Sequence, residues 1–171
     1  MYKRILLAYD GTREGMIALR EGALLAKRCG AHVFLLSILP ESAGLMMGEN
    51  TTSMLADQQL KTYKALLARG VEALTQLGME PVAKLVVGEP ALQIGAFARE
   101  VHADLVVLGQ RKKSFLHRWW AGATGAYVTD HVKCSVLVGR NAISDEAFEA
   151  ALHTGVQRHE DDVPAEKITK S

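Results

Sequence analysis

Five short apolar runs punctuate the chain: RILLAYD (4–10), AHVFLLSIL (31–39), PVAKLVVG (81–88), ADLVVLG (103–109) and CSVLVGR (134–140). Each has the length of a strand, is rich in Val, Ile and Leu, and is closed by Gly, Pro or Asp. Their near-continuous apolar character predicts strands buried on both faces, as in a parallel sheet. The segments between them carry a helical period. In 13–29, Met16, Leu19, Ala23 and Ala26 form an i, i+3, i+7 stripe, and Gly30 supplies a stop. In 52–77, Leu60, Tyr63, Leu67, Val71, Leu74 and Leu77 keep the same period, and Gly78 ends it. Gly70 sits inside that helix at a cost of roughly 1 kcal/mol relative to Ala. Pro90 suits the first position of a helix over 90–102, where Ile94, Phe97, Ala98 and Val101 share one face. A last helix over 122–132 repeats Thr124, Val128 and Val132.

The order is β-α-β-(long loop)-α-β-α-β-loop-α-β, which predicts an α/β sheet with right-handed crossovers. Residues 40–51 form the longer connection. Beyond Arg140 the character changes. Residues 144–155 predict one short helix, capped by Ser144 or Asp145 and stopped at Gly155. Residues 157–171 are polar without a period, and disorder is expected there. The expected division is a domain over 1–140 and a C-terminal extension over 141–171.

Composition narrows the class. With 171 residues, 49% hydrophobic and 23% charged, the chain is long enough to bury a core of its own. A formal net charge of +1 provides no global field for nucleic acid, so none is expected as a partner. Cys29 and Cys134 are far apart and make no CxxC pair, which points to a reducing compartment. No run approaches the ~20 apolar residues of a membrane span. The apolar stretch before Asp10 is too short for a secretory signal. A soluble cytoplasmic protein is expected.

Charge is uneven locally. From Leu105 through Thr129 there is no Asp or Glu, while Arg111, Lys112, Lys113 and Arg118 follow the run that ends at Gly109. If the first and fourth strands are neighbours, Asp10 and Gly109 end adjacent strands where the winding reverses. Ligands of doubly wound sheets bind at that place. The helix after the basic loop would point its free N–H groups there as well. Each residue also has an ordinary reading. Asp10 suits a turn or helix cap, Gly109 a turn, Gly122 a loop-to-helix transition, Ile38 the core, and the cations a solvated loop. Trp119 and Trp120 fit packing beneath the loop or a partner surface.

Catalytic signatures are not evident. The six histidines show no metal-ligand spacing. The chain has no G-x-x-x-x-G-K-[ST], G-x-G-x-x-G or G-x-S-x-G pattern. Ser114 and His117 lie three apart, but no third group orients them. No catalytic residue and no metal site are assigned. Enzymatic activity is not expected.

Taken together, RILLAYDGT, VVGEPALQI, ADLVVLGQR and CSVLVGR resemble the universal stress proteins over roughly residues 2 to 140. They match, in turn, that family's first strand with its Asp, the Gly-x-Pro turn into the third helix, and the fourth and fifth strands. The resemblance implies a five-stranded, mainly parallel sheet of order 3-2-1-4-5 with helices on both faces, the adenine nucleotide alpha hydrolase-like class. It also implies a stress-response protein that holds ATP or another adenine nucleotide, and a homodimer paired through 134–140. The pocket positions it implies are Ala8, Tyr9, Asp10, Ile38, Leu108, Gly109, Arg111, Lys112, Gly122, Ala123 and Thr124. Among them, Asp10 would accept a ribose hydroxyl and the Ile38 backbone would meet the base.

Nucleotide-binding members carry Gly, two residues, Gly, nine residues, Gly, then Ser or Thr after the fourth strand. Here Gly109 and Gly122 match, but Lys112 stands at the second glycine and Ala123 at the hydroxyl position, with Thr124 one step later. Two outcomes stay open. The cationic side chains replace the backbone donors and hold phosphate by charge, or Lys112 fills the cradle and the protein is a dimeric scaffold acting through protein contacts.

Overall fold

The computed structural model describes residues 1–40, 52–109, 128–140 and 142–153. In chain order the elements are β1 (Arg4–Ala8), α1 (Arg13–Cys29), β2 (His32–Leu39), α2 (Thr52–Gln76), β3 (Val82–Val87), α3 (Pro90–Glu100), β4 (Leu105–Gly109), α4 (Val128–His131), β5 (Ser135–Gly139) and α5 (Asp145–His153). The strands form one sheet of order β3-β2-β1-β4-β5. Every pairing is parallel. The five-stranded parallel sheet and its 3-2-1-4-5 order are therefore as expected.

Local chemistry starts and stops the helices. Thr12 caps α1 by accepting from the Gly15 N–H, and Glu14 lies in the first turn where the helix dipole favours an acid. Gly30 ends α1 in the left-handed region at φ 61°, its N–H meeting the carbonyls of Ala26 and Lys27. Pro90 opens α3 behind Glu89, whose side chain accepts from Leu92 N–H at 2.8 Å. Ser144, rather than Asp145, caps α5, accepting from Ala147 N–H at 3.1 Å.

Two apolar layers enclose the sheet. On one side Leu6, Phe34, Leu36, Val106 and Leu108 pack against Ile94, Phe97 and Ala98 of α3 and Val128 of α4. On the other, Ile5, Leu7, Val33, Leu35 and Val107 pack against Leu19, Ala23 and Ala26 of α1 and Leu74 of α2. Gly70 explains its own presence in α2. A Cβ there would stand 2.9 Å from Leu35 Cδ2 and 2.9 Å from Tyr9 Cδ1, so the glycine lets α2 lie close on the strand tips.

One expectation about burial changes. β3 is an edge strand and is not buried on both faces: Val82 and Val87 are 58% and 54% exposed. A continuous apolar run does not distinguish an edge from an interior strand. Lys84 lies in that strand with its ammonium 4.9 Å from the Phe97 ring and 2.7 Å from Glu100. A charge in that place is a common defence of an open edge. Beyond β5, α5 lies against α1, with Phe148 buried and the Arg20 guanidinium 5.1 Å from its ring.

Candidate functional site

The site is built where β1, β2 and β4 end. The winding reverses between β1 and β4, which pair from Ile5↔Leu105 to Ala8↔Leu108. Asp104 pins this register at the opposite end. Its two carboxylate oxygens accept from Lys3 N–H at 2.7 Å and Arg4 N–H at 3.1 Å. The tips of β1 and β4 therefore stand side by side.

The β1–β2 ladder closes with the Tyr9 N–H donating to Leu36 O at 2.9 Å. The Tyr9 carbonyl receives a side chain: Ser37 Oγ donates to it at 2.8 Å. Ser37 is fully buried. In a parallel ladder alternate residues bond to alternate neighbours. Leu36 bonds toward β1, and Leu39 bonds toward β3 through Gly88. Ile38 accordingly turns its peptide N–H and C=O toward β1, beyond the last paired rung at Ala8↔Leu36. Ala8, Ile38 and Val86 are partly buried against the α3-side core, so they form an apolar floor at this end of the sheet.

Asp10 leads the chain from β1 into α1. Its Oδ1 accepts from Thr12 N–H at 3.0 Å and from Thr12 Oγ1–H at 2.6 Å. Thr12 Oγ1 in turn accepts from Gly15 N–H at 3.0 Å. The turn reading of Asp10 is thus realised, while the cap itself is Thr12. The carboxylate is fixed in direction by two donors from one residue. A Cβ on Gly15 would collide with Asp10 Oδ1, so that glycine makes room for the network.

Gly109 lies across the same turn. A Cβ there would stand 2.6 Å from Glu14 O and 2.8 Å from Gly15 N. Its lack of a side chain lets the first turn of α1 settle on the tip of β4. Tyr9 points the other way, under α2. Burial pushes its phenol above the ordinary value, an effect that Arg69 opposes and Asp10 reinforces. Its hydroxyl has no hydrogen-bond partner among the described residues.

The structure therefore brings together Ala8, Tyr9, Asp10, Ile38, Leu108 and Gly109. Arg111, Lys112, Gly122, Ala123 and Thr124 lie outside the described residues, as do Lys113, Arg118, Trp119 and Trp120. Three contributors were not singled out in the sequence: Thr12, Ser37 and Val86. Ser37 left a trace, as the polar residue that interrupts the apolar run after His32 in HVFLLSIL. Among the described residues no three His, Cys, Asp or Glu side chains gather to hold a metal. No described helix is long and apolar enough to cross a membrane.

The sequence profile of the universal stress protein family matches residues 1–140. The chain belongs to that family. A putative universal stress protein of Staphylococcus epidermidis is 28% identical over 155 residues, spanning 90% of this chain and 93% of its own. Among solved structures, a universal stress protein in complex with cAMP superposes with a TM-score of 0.62 at 21% identity, covering 81% of this chain and 97% of its own. The universal stress protein of Archaeoglobus fulgidus in complex with dAMP gives 0.60 at 23% identity, covering 81% and 98%. At those identities the two structures bear on the fold, which they share with this chain.

Proposed function

We propose that this universal stress protein is a cytoplasmic stress-response protein that binds ATP or another adenine nucleotide in the crevice between the tips of β1, β2 and β4. The observation that carries the reading is the end of the β1–β2 ladder, where Ser37 Oγ rather than a peptide N–H donates to the Tyr9 carbonyl. Beyond it lie the Ile38 peptide and an apolar floor, and one residue after Tyr9 the Asp10 carboxylate is held by Thr12. An adenine ring needs one donor and one acceptor in a plane, which a strand's peptide edge supplies. A ribose needs an oriented acceptor for its hydroxyls, which Asp10 supplies. The two solved relatives support the same ligand class, since their ligands are adenine nucleotides. Phosphate would fall to Arg111, Lys112, Gly122, Ala123 and Thr124, the positions that the family pattern implies. Isothermal titration with ATP and AMP tests the reading. The expected result is a saturable heat, and no heat at millimolar ligand overturns it.

A second reading has its own support in Lys112 and Ala123 at the two signature positions. In it the protein is a dimeric scaffold that binds no nucleotide. A Lys112→Gly, Ala123→Ser double variant that gains ATP affinity where the parent has none would favour it. Under either reading we propose a homodimer through 134–140. β5 is a sheet edge, and Val136, Leu137 and Val138 are only partly buried there. Light scattering at micromolar concentration should give twice the 18.6 kDa chain mass. A monomer would count against pairing through β5.

A further inference from the structure

We infer that Thr12 is a positioning residue for sugar recognition, acting through Asp10; the inference rests on the nucleotide reading above. A carboxylate recognises a ribose hydroxyl by geometry, so its value depends on how well its direction is fixed before the ligand arrives. Asp10 stands at the end of β1, where the chain leaves the sheet, and a short side chain there has several rotamers open to it. Thr12 removes that freedom. Its backbone N–H and its hydroxyl both donate to the same oxygen, Oδ1, at 3.0 and 2.6 Å. The hydroxyl also accepts from the Gly15 N–H at 3.0 Å, so its single proton and one of its two lone pairs are both engaged. With its acceptor role satisfied by the helix, the Thr12 proton is directed at Asp10.

The chain of bonds runs from the first turn of α1 through Thr12 to Asp10. Gly15 and Gly109 keep it in place, because a side chain at either would strike Asp10 or the backbone of α1. Charge points the same way. The Asp10 carboxylate can only accept, so it suits the hydroxyl donors of a sugar and repels a phosphate. Thr12 therefore sets discrimination between sugars with hydroxyls and sugars without them, while the phosphates are held elsewhere.

The probes are ATP and 2′,3′-dideoxy-ATP, which carry the same base and phosphates, titrated into the full chain. The wild type should bind ATP about ten- to a hundredfold tighter than the dideoxy compound, the range for hydrogen bonds to a charged group. Thr12→Val should bring that ratio to within about threefold of unity, and Thr12→Ser, which keeps the hydroxyl, should restore it. Thr12→Asp keeps a cap acceptor for Gly15 but offers no side-chain donor to Asp10. It should lose the discrimination while the helix stays capped. Its added charge stands beside Asp10 and repels that carboxylate, which works in the same direction as the lost donor. Equal weakening of both probes in Thr12→Val and an intact ratio in Thr12→Asp would reduce Thr12 to a helix cap. That outcome overturns the inference and leaves nucleotide binding standing. Absence of ATP binding by the wild type removes both.

Discussion

Replacing Gly109 by Ala separates two reasons a glycine could stand at the tip of β4. If it is there only for ligand approach, the apo protein should tolerate a methyl group. If it is there for packing, apo stability should fall. The structure decides for packing: the added carbon would meet Glu14 O, Glu14 C and Gly15 N at 2.6, 2.7 and 2.8 Å. Carbon prefers such neighbours at about 3.5 Å or more, so the start of α1 must retreat by roughly 0.9 Å. These are backbone atoms at a capped helix start, and no flexible side chain can turn aside for them. Overpacking of this kind costs about 1–3 kcal/mol. Partial loss of the Thr12 cap would place it in the upper half of that range. For a chain of this length about 2 kcal/mol corresponds to a fall in Tm of roughly 4–8 °C. Urea and thermal unfolding of the ligand-free protein measure it. A Gly109→Ala variant within about 0.5 kcal/mol of wild type, the usual range for surface changes, would refute the packing argument.

Three further outcomes follow from the same contacts. Ser37→Ala removes the buried donor to Tyr9 O and leaves that carbonyl without it, which should cost about 1–3 kcal/mol in urea unfolding; a neutral result would mean the rung is filled another way. Gly70→Ala should fail to realise the ~1 kcal/mol that alanine normally contributes to a helix. The Leu35 methyl and Tyr9 ring stand in its way, so a Tm above wild type would show that α2 rides higher on the sheet. Tyr9→Phe deletes a buried hydroxyl with no partner among the described residues, so stability at pH 7 should stay within about 1 kcal/mol of wild type or rise. Because burial raises the Tyr9 phenol, its contribution is complete below the unfolded value near pH ~10 and is lost as pH climbs through the folded value. The wild type should therefore weaken more steeply than the Phe variant above the unfolded value near pH ~10 on pH-dependent urea curves. Parallel curves would place the phenol in water.

Much of the fold was legible because period and punctuation are local signals. The apolar runs became strands and the stripes became helices, with ends shifted by a residue or two: β1 stops at Ala8, before Asp10, and α3 at Glu100. Strand order was not in the periodicity and came with the family resemblance. The exposure of β3 was hidden for the same reason, since PVAKLVVG reads alike at an edge and in the interior. In the site, Asp10 and Gly109 stood out as closing residues of apolar runs. Ser37 did not reveal its role, because its partner Tyr9 lies 28 residues away and the bond exists only once β1 and β2 are adjacent. Thr12 was obscured by Asp10, a more familiar turn residue two positions earlier.

The central claim is that the β1, β2 and β4 tips form one nucleotide crevice. Amide hydrogen exchange of the full chain with and without saturating ATP tests it most directly. The account predicts new protection at Asp10, Gly11, Ile38 and Gly109, with β3 and the amides of Leu105 and Val106 unchanged. ATP binding that protects some other surface and leaves those tips exchanging as before would contradict it.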